Sequence, residues 1–230
     1  QPCCKSNVTP GTMADILAGP LLTSSVGYTL TYNTVDSQIL PRDGEFARIS
    51  QDFAGVGGDV KYVRTIGDAR IYRQLNADWD LVGSVSVKAG NIEGLGEGVR
   101  SSDAFFKGGE SIRGFKSYGP RDLLSDGAIG GNNFWTASAE VNFPFWGLPE
   151  SFGLRGAVFA DAGSLFGAED RKAGVIPANF KDEASIRSSV GASVLWQSPF
   201  GPLRADIAQV LTSENYDEEQ FFRFGGGAKF

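Results

Sequence analysis

Apolar and polar residues alternate in short runs along most of this chain. Val26, Tyr28, Leu30 and Tyr32 share one parity, and Thr29, Thr31 and Asn33 take the other. A period of two belongs to an extended strand with one apolar and one polar face. The pattern predicts strands over 26–33, 46–53, 60–72, 81–89, 136–143, 154–165, 186–197 and 203–211, with a closing strand over about 220–230. The third of these is the least regular. In the fifth, Ala137, Ala139, Val141 and Phe143 oppose Ser138, Glu140 and Asn142. In the sixth, Gly156, Val158, Ala160 and Ala162 oppose Arg155, Phe159 and Asp161.

The closing segment sharpens this picture. Phe222, Phe224, Ala228 and Phe230 lie on one parity, with Arg223 and Lys229 on the other. Chain ends of soluble domains fray. An amphipathic strand that finishes on an aromatic suits an outer-membrane β-barrel, in which one face meets lipid and aromatics mark the interfaces. An edge strand of a soluble sandwich is the plainer alternative. The connections favour the barrel. Residues 41–44 (Pro, Arg, Asp, Gly) and 198–202 (Ser, Pro, Phe, Gly, Pro) read as tight turns, and 144–149 is a turn rich in aromatics. Longer polar loops alternate with these turns, including 167–182, the acidic 213–219 and a stretch of about 91–133 rich in Gly, Ser and charge. Short turns on one side and long loops on the other are the signature of such barrels. The expected fold is therefore all-β, an antiparallel transmembrane barrel segment of about nine strands with a long loop. An odd strand count implies strands upstream of Gln1 or a miscount, because single-chain bacterial barrels have an even number.

Composition narrows the function. The net charge of −6 disfavours nucleic acid, which needs clustered Lys and Arg. The sequence has no His, which removes Ser-His-Asp and Cys-His catalysis and His-ligated metal sites. No cofactor, metal or enzymatic activity is expected. No apolar run approaches the roughly 20 residues of a helical span, and Gln1 to Lys5 lack the features of a signal peptide. An exported chain of this kind is either processed or part of something longer. Cys3 and Cys4 are adjacent, and a direct bridge between them would be strained. They are expected to be free or to pair elsewhere.

The candidate chemistry lies in the long loop. Gly108, Gly109 and Glu110 precede Ser111, Ile112, Arg113, Gly114 and Phe115. Glu140 and Asp161 sit on the polar faces of their strands, so they point into the lumen if the apolar faces meet lipid. A guanidinium is planar, permanently charged and able to bridge two carboxylates. Arg113 is thus expected to dock on Glu140 and Asp161 as the loop folds inward. The alternative is a solvated Arg113 with two water-lined carboxylates. Gly225, Gly226 and Gly227 lie in the closing strand, where Gly weakens pairing. They either soften a barrel seam or relieve crowding against the loop.

The run from Gly108 to Phe115, followed by Gly119, Pro120, Arg121 and Asp122, resembles the signature loop of the BamA family of outer-membrane assembly and translocation barrels. Residues 130–141, Phe159 to Gly163, 185–196, 198–203 and the terminal Phe230 match that family in order and spacing, over about 26–230. The resemblance implies the C-terminal part of such a barrel in the bacterial outer membrane, with the remaining strands and the periplasmic POTRA domains outside this sequence. It implies that Arg113 contacts Glu140 and Asp161. It implies insertion of unfolded β-barrel clients into the lipid bilayer, with accessory lipoproteins as partners. Two-partner secretion, a TamA-like translocation barrel or a passive porin are the alternatives.

Overall fold

The computed structural model describes residues 19–96, 98–123, 125–145, 147–149, 152–168, 180–199 and 201–226. Its strands are β1 (Ser25–Asn33), β2 (Gly44–Ala54), β3 (Tyr62–Asn76), β4 (Leu81–Gly94), β5 (Phe115–Ser117), β6 (Arg121–Asp122), β7 (Gly127–Ala128), β8 (Asn133–Pro144), β9 (Leu154–Phe166), β10 (Phe180–Lys181), β11 (Arg187–Ser198), β12 (Gly201–Thr212), β13 (Glu218–Glu219) and β14 (Phe222–Gly226). Nine of them form one sheet in the order β1-β2-β3-β4-β8-β9-β11-β12-β14. Each long strand is hydrogen-bonded antiparallel to its neighbour in sequence, so the sheet is a meander interrupted by inserted loops.

Alternation sets the two faces of this sheet. Val26, Leu30, Val85, Val87, Val158, Val194, Ile207 and Phe224 all stand exposed on one side. A continuous apolar surface of that extent is costly in water and expected in hydrocarbon. The opposite parity turns inward and is largely polar or buried: Thr136, Ser138 and Glu140 on β8, and Asp161, Ser189, Ser193 and Asp206 on its neighbours. Among the described residues no helix is long and apolar enough to cross a membrane.

β3 and β4 run well beyond the C-terminal ends that their sequence pattern indicates. β3 continues to Asn76 and β4 to Gly94. The long loop is therefore 95–132 rather than about 91–133, since Asn91 pairs with Asn133 within the β4–β8 ladder. Gly90, Asn91, Glu93 and Gly94 hide this extension, because none of them marks an apolar face. The loop is not structureless. It contributes β5, β6 and β7, pairs Phe105 with Gly131 and Lys107 with Tyr118, and lies against the inner wall.

Two apolar clusters secure it. Ile112, Phe115 and Tyr118 pack on Phe134 of β8 and Leu165 of β9, with Ile66, Phe105 and Val210 at the margin. Val99 and Phe105 pack on Ala54, Val60, Tyr62 and Ile92. Ile112 and Phe115 are fully buried. Burying each such side chain contributes about 1.5–3 kcal/mol, so both help hold the loop tip against the wall. β5 pairs with β13 of the 213–221 connection, and β6 pairs with β7 and β10.

Of the features singled out in the sequence, Cys3, Cys4, Gly227 and Phe230 lie outside the described residues, as do Trp146 and Phe200 of the aromatic turns.

Candidate functional site: a docked arginine on the inner wall

The site is built by register. β8 and β9 pair so that Ser138 faces Asp161 and Glu140 faces Phe159. All four side chains therefore project from one small patch of the inner wall. Asp161 is almost completely buried, and a buried carboxylate needs donors to remain charged.

The loop delivers them. Arg113 Nε donates to Asp161 Oδ2 at 2.7 Å and Nη2 donates to Oδ1 at 2.6 Å, a two-pronged contact. The backbone N–H of Arg113 donates to the same carboxylate at 3.0 Å. Nη2 also donates to Ser138 Oγ at 2.9 Å, and that hydroxyl donates in turn to Asp161 Oδ1 at 2.6 Å. Nη1 donates to Glu140. The guanidinium carbon lies 3.4 Å from the centroid of the Phe159 ring. Stacking over the ring face adds electrostatic attraction to the planar fork of hydrogen bonds.

The loop backbone is shaped to allow this. Gly114 has φ of +94°, a conformation that side chains other than glycine rarely adopt. Its ideal Cβ position lies 3.2 Å from both Ala208 and Val210, so a side chain there would also press on β12. The Arg113 carbonyl accepts from Ser189 Oγ, and the Gly114 carbonyl accepts from the Gln220 N–H at 2.8 Å. The turn therefore binds the wall on one side of the arginine and the 213–221 connection on the other.

Glu140 is shared. Its Oε2 also accepts from Arg204 Nη2 on β12 at 2.7 Å. Arg204 Nε donates to Asp206 Oδ1 at 2.7 Å, and its Nη2 donates to Ser193 at 2.8 Å. Charge therefore alternates from loop to β8 to β12. Arg204, Asp206 and Ser193 are not among the residues that the sequence points to, and Ser138 is marked there only by its place on a polar face. The signal was available for the first two, because Arg204 and Asp206 interrupt Leu203, Ala205 and Ile207 at every second position.

A second buried pair lies at the rim. Arg187 at the start of β11 and Asp217 have no exposed side-chain surface. Arg187 Nε donates to Asp217 at 3.0 Å and Nη1 donates to the Glu183 and Ser185 carbonyls. Asp217 accepts from the backbone N–H groups of Gly119 and Glu214. Burial and the neighbouring Arg187 act in opposite senses on Tyr216, and burial prevails, pushing its hydroxyl up to about 12. Nearby, Glu218 accepts from Lys116 and Arg121, which hold its carboxyl below the usual range.

Of the residues singled out on the closing strand, Phe222 and Phe224 are exposed on the apolar face. Gly225 lies opposite Arg204 and Gly226 opposite Leu203. A side chain at Gly225 would meet nothing within 4 Å, so crowding does not demand glycine there. Beneath the loop is a cavity of about 690 Å³, lined by Arg70, Tyr72, Ser86, Glu140, Arg204 and Arg223 among others.

Known proteins share this architecture. An outer membrane protein assembly factor BamA from Neorickettsia risticii is 39% identical over 211 residues, covering 90% of this chain and 27% of that protein. A sorting and assembly machinery component 50 homolog A from Xenopus laevis is 30% identical over 155 residues, covering 64% of this chain and 33% of that protein. This chain thus spans about a third or less of the length of these curated relatives. The crystal structure of BamA from Haemophilus ducreyi lacking POTRA domains 1–3 superposes with a TM-score of 0.76 at 25% identity, over 87% of this chain and 41% of that one. The Omp85 superfamily domain matches residues 5–230, nearly the whole sequence. The fold of this chain is thus shared with a solved BamA barrel, and the chain belongs to the Omp85 superfamily.

Proposed function

We propose that this chain forms the C-terminal part of a barrel that inserts β-barrel proteins into the bacterial outer membrane. The observation that carries this reading is the docked loop on an otherwise lipid-compatible sheet. A passive pore needs only a wall and a constriction, whereas here an apolar cluster and a bifurcated arginine fix the loop to the wall. The names of the similar proteins, an outer-membrane assembly factor and a sorting and assembly component, support the same reading.

The mechanism is backbone templating and involves no bond chemistry. An unpaired strand edge is expensive in lipid, so an incoming strand gains most by pairing with an edge that is already formed. β14 stands at one end of the sheet order, so its other edge is the one a barrel closes at its seam. Gly225 and Gly226 weaken pairing along this strand. Clients are unfolded outer-membrane barrel chains. Accessory lipoproteins act through periplasmic domains outside this sequence.

The test is reconstitution of the whole protein in lipid vesicles with an unfolded barrel client. The client should fold faster than in empty vesicles, read by its heat-modifiable gel mobility. Ion conductance with no acceleration of client folding would favour a passive pore and overturn the proposal.

A further inference from the structure

The loop touches both sides of the β12–β14 ladder. On one side, Arg113 and Arg204 share Glu140, so the loop holds β12 through a carboxylate on β8. On the other side, Glu110 accepts from Arg223 of β14 at 3.3 Å. Arg223 lies opposite Asp206 in the ladder, and Asp206 accepts from Arg204. Glu110 and Arg113 are three positions apart in the loop. The signs alternate around a circuit: Arg113, Glu140, Arg204, Asp206, then Arg223 across the ladder, then Glu110.

The packing is built for this. A Cβ at Gly109 would fall 2.5 Å from Arg223 Nη1 and 2.6 Å from the Phe115 carbonyl, so glycine leaves the space through which Arg223 reaches the loop. The connection that precedes β14 is fastened to the same loop. Glu218 and Glu219 pair with Ser117 and Phe115, and the Gln220 N–H donates to the Gly114 carbonyl.

We propose that the loop is a clasp across this ladder and that Arg223 is a positioning residue: Glu110 fixes β14 through Arg223 while Arg113 fixes β12 through Glu140. Docking of the loop then sets how readily β14 leaves β12. This rests on the assembly reading only for its purpose, since the clasp is a property of the chain itself.

The experiment is hydrogen exchange on the whole protein in lipid nanodiscs, followed at the amides of residues 222–226. Arg223→Ala and Glu110→Gln should each speed that exchange about three- to fivefold, the size of one partly exposed ion pair. The double reversal of Glu110→Arg with Arg223→Glu should return it to the starting rate, which a merely structural loss would not do. Unchanged exchange in both single variants, or a double reversal as fast as either single variant, overturns the clasp. Client insertion is not part of this readout. A protein that shows the clasp and inserts no client would refute the assembly reading alone.

Discussion

Replacing Arg113 with Met should cost about 3–5 kcal/mol, the cost of breaking a buried ion pair by removing one partner. Met keeps an apolar stem over Phe159, so the change isolates the charge. The structure shows where the cost arises. Asp161 would lose two charge-assisted bonds of 2.7 and 2.6 Å and keep only Ser138 and the backbone N–H of residue 113. Its side chain is 1% exposed, so water does not replace the guanidinium. Glu140 suffers less, because Arg204 still donates to it at 2.7 Å. Asp161→Asn in the Arg113→Met background should therefore recover part of the loss, whereas Glu140→Gln should recover little. The assay is denaturant unfolding of the folded protein in lipid or detergent, with Lys116→Met as a control at a residue whose side chain is 70% exposed. A loss below about 1 kcal/mol for Arg113→Met, or one equal to that of the control, would refute the argument from an uncompensated buried charge.

Other perturbations have equally definite outcomes. Asp217→Ala should loosen the rim and destabilise by about 3–5 kcal/mol, since it strands a guanidinium with no exposed surface; a cost typical of surface positions would contradict the burial. Gly225→Val should stabilise the β12–β14 ladder, because the space is open and β-branched residues favour strands; slower amide exchange at 222–226 and slower client folding would follow, while destabilisation would restore crowding as the reason for glycine. The Glu218 carboxyl is held below its ordinary 4.5 by hydrogen bonds from Lys116 and Arg121, so its contribution is present above 4.5 and lost as pH falls through the depressed value. Acid should therefore loosen β5 from β13 in amide exchange, and Glu218→Gln should remove that pH dependence. The Tyr216 hydroxyl, pushed up to about 12, should remain un-ionised in an ultraviolet titration well past its ordinary value of 10.0, and its contribution is fully present below 10.0 and lost as pH rises from there through the higher value.

Much of the architecture is legible in alternation alone. Parity places Val26, Val85, Val158 and Ile207 outward and Ser138, Glu140 and Asp161 inward. The same rule applied to 203–211 turns Arg204 and Asp206 inward, because both stand between apolar neighbours. What alternation does not convey is which distant segments meet. Arg187 stands next to an ordinary strand pattern, and its partner Asp217 lies in a run of acidic residues that reads as a solvated loop. Their burial arises from the packing of three connections at the rim. The stretch 91–94 has the pattern of a loop because Asn91 and Glu93 carry no apolar signal, although backbone pairing continues through them.

The seat of the inserted loop has a bearing on the order in which the chain can mature. Ile112, Arg113 and Phe115 find their receptors on β8, β9, β11 and β12, and Gly119 finds Asp217 98 residues later. A ribosome delivers the greasy tip long before the surface that shelters it exists. Contacts that distant in sequence form slowly, and exposed apolar segments invite aggregation meanwhile. The newborn chain therefore carries its tip uncovered until those later strands are in place.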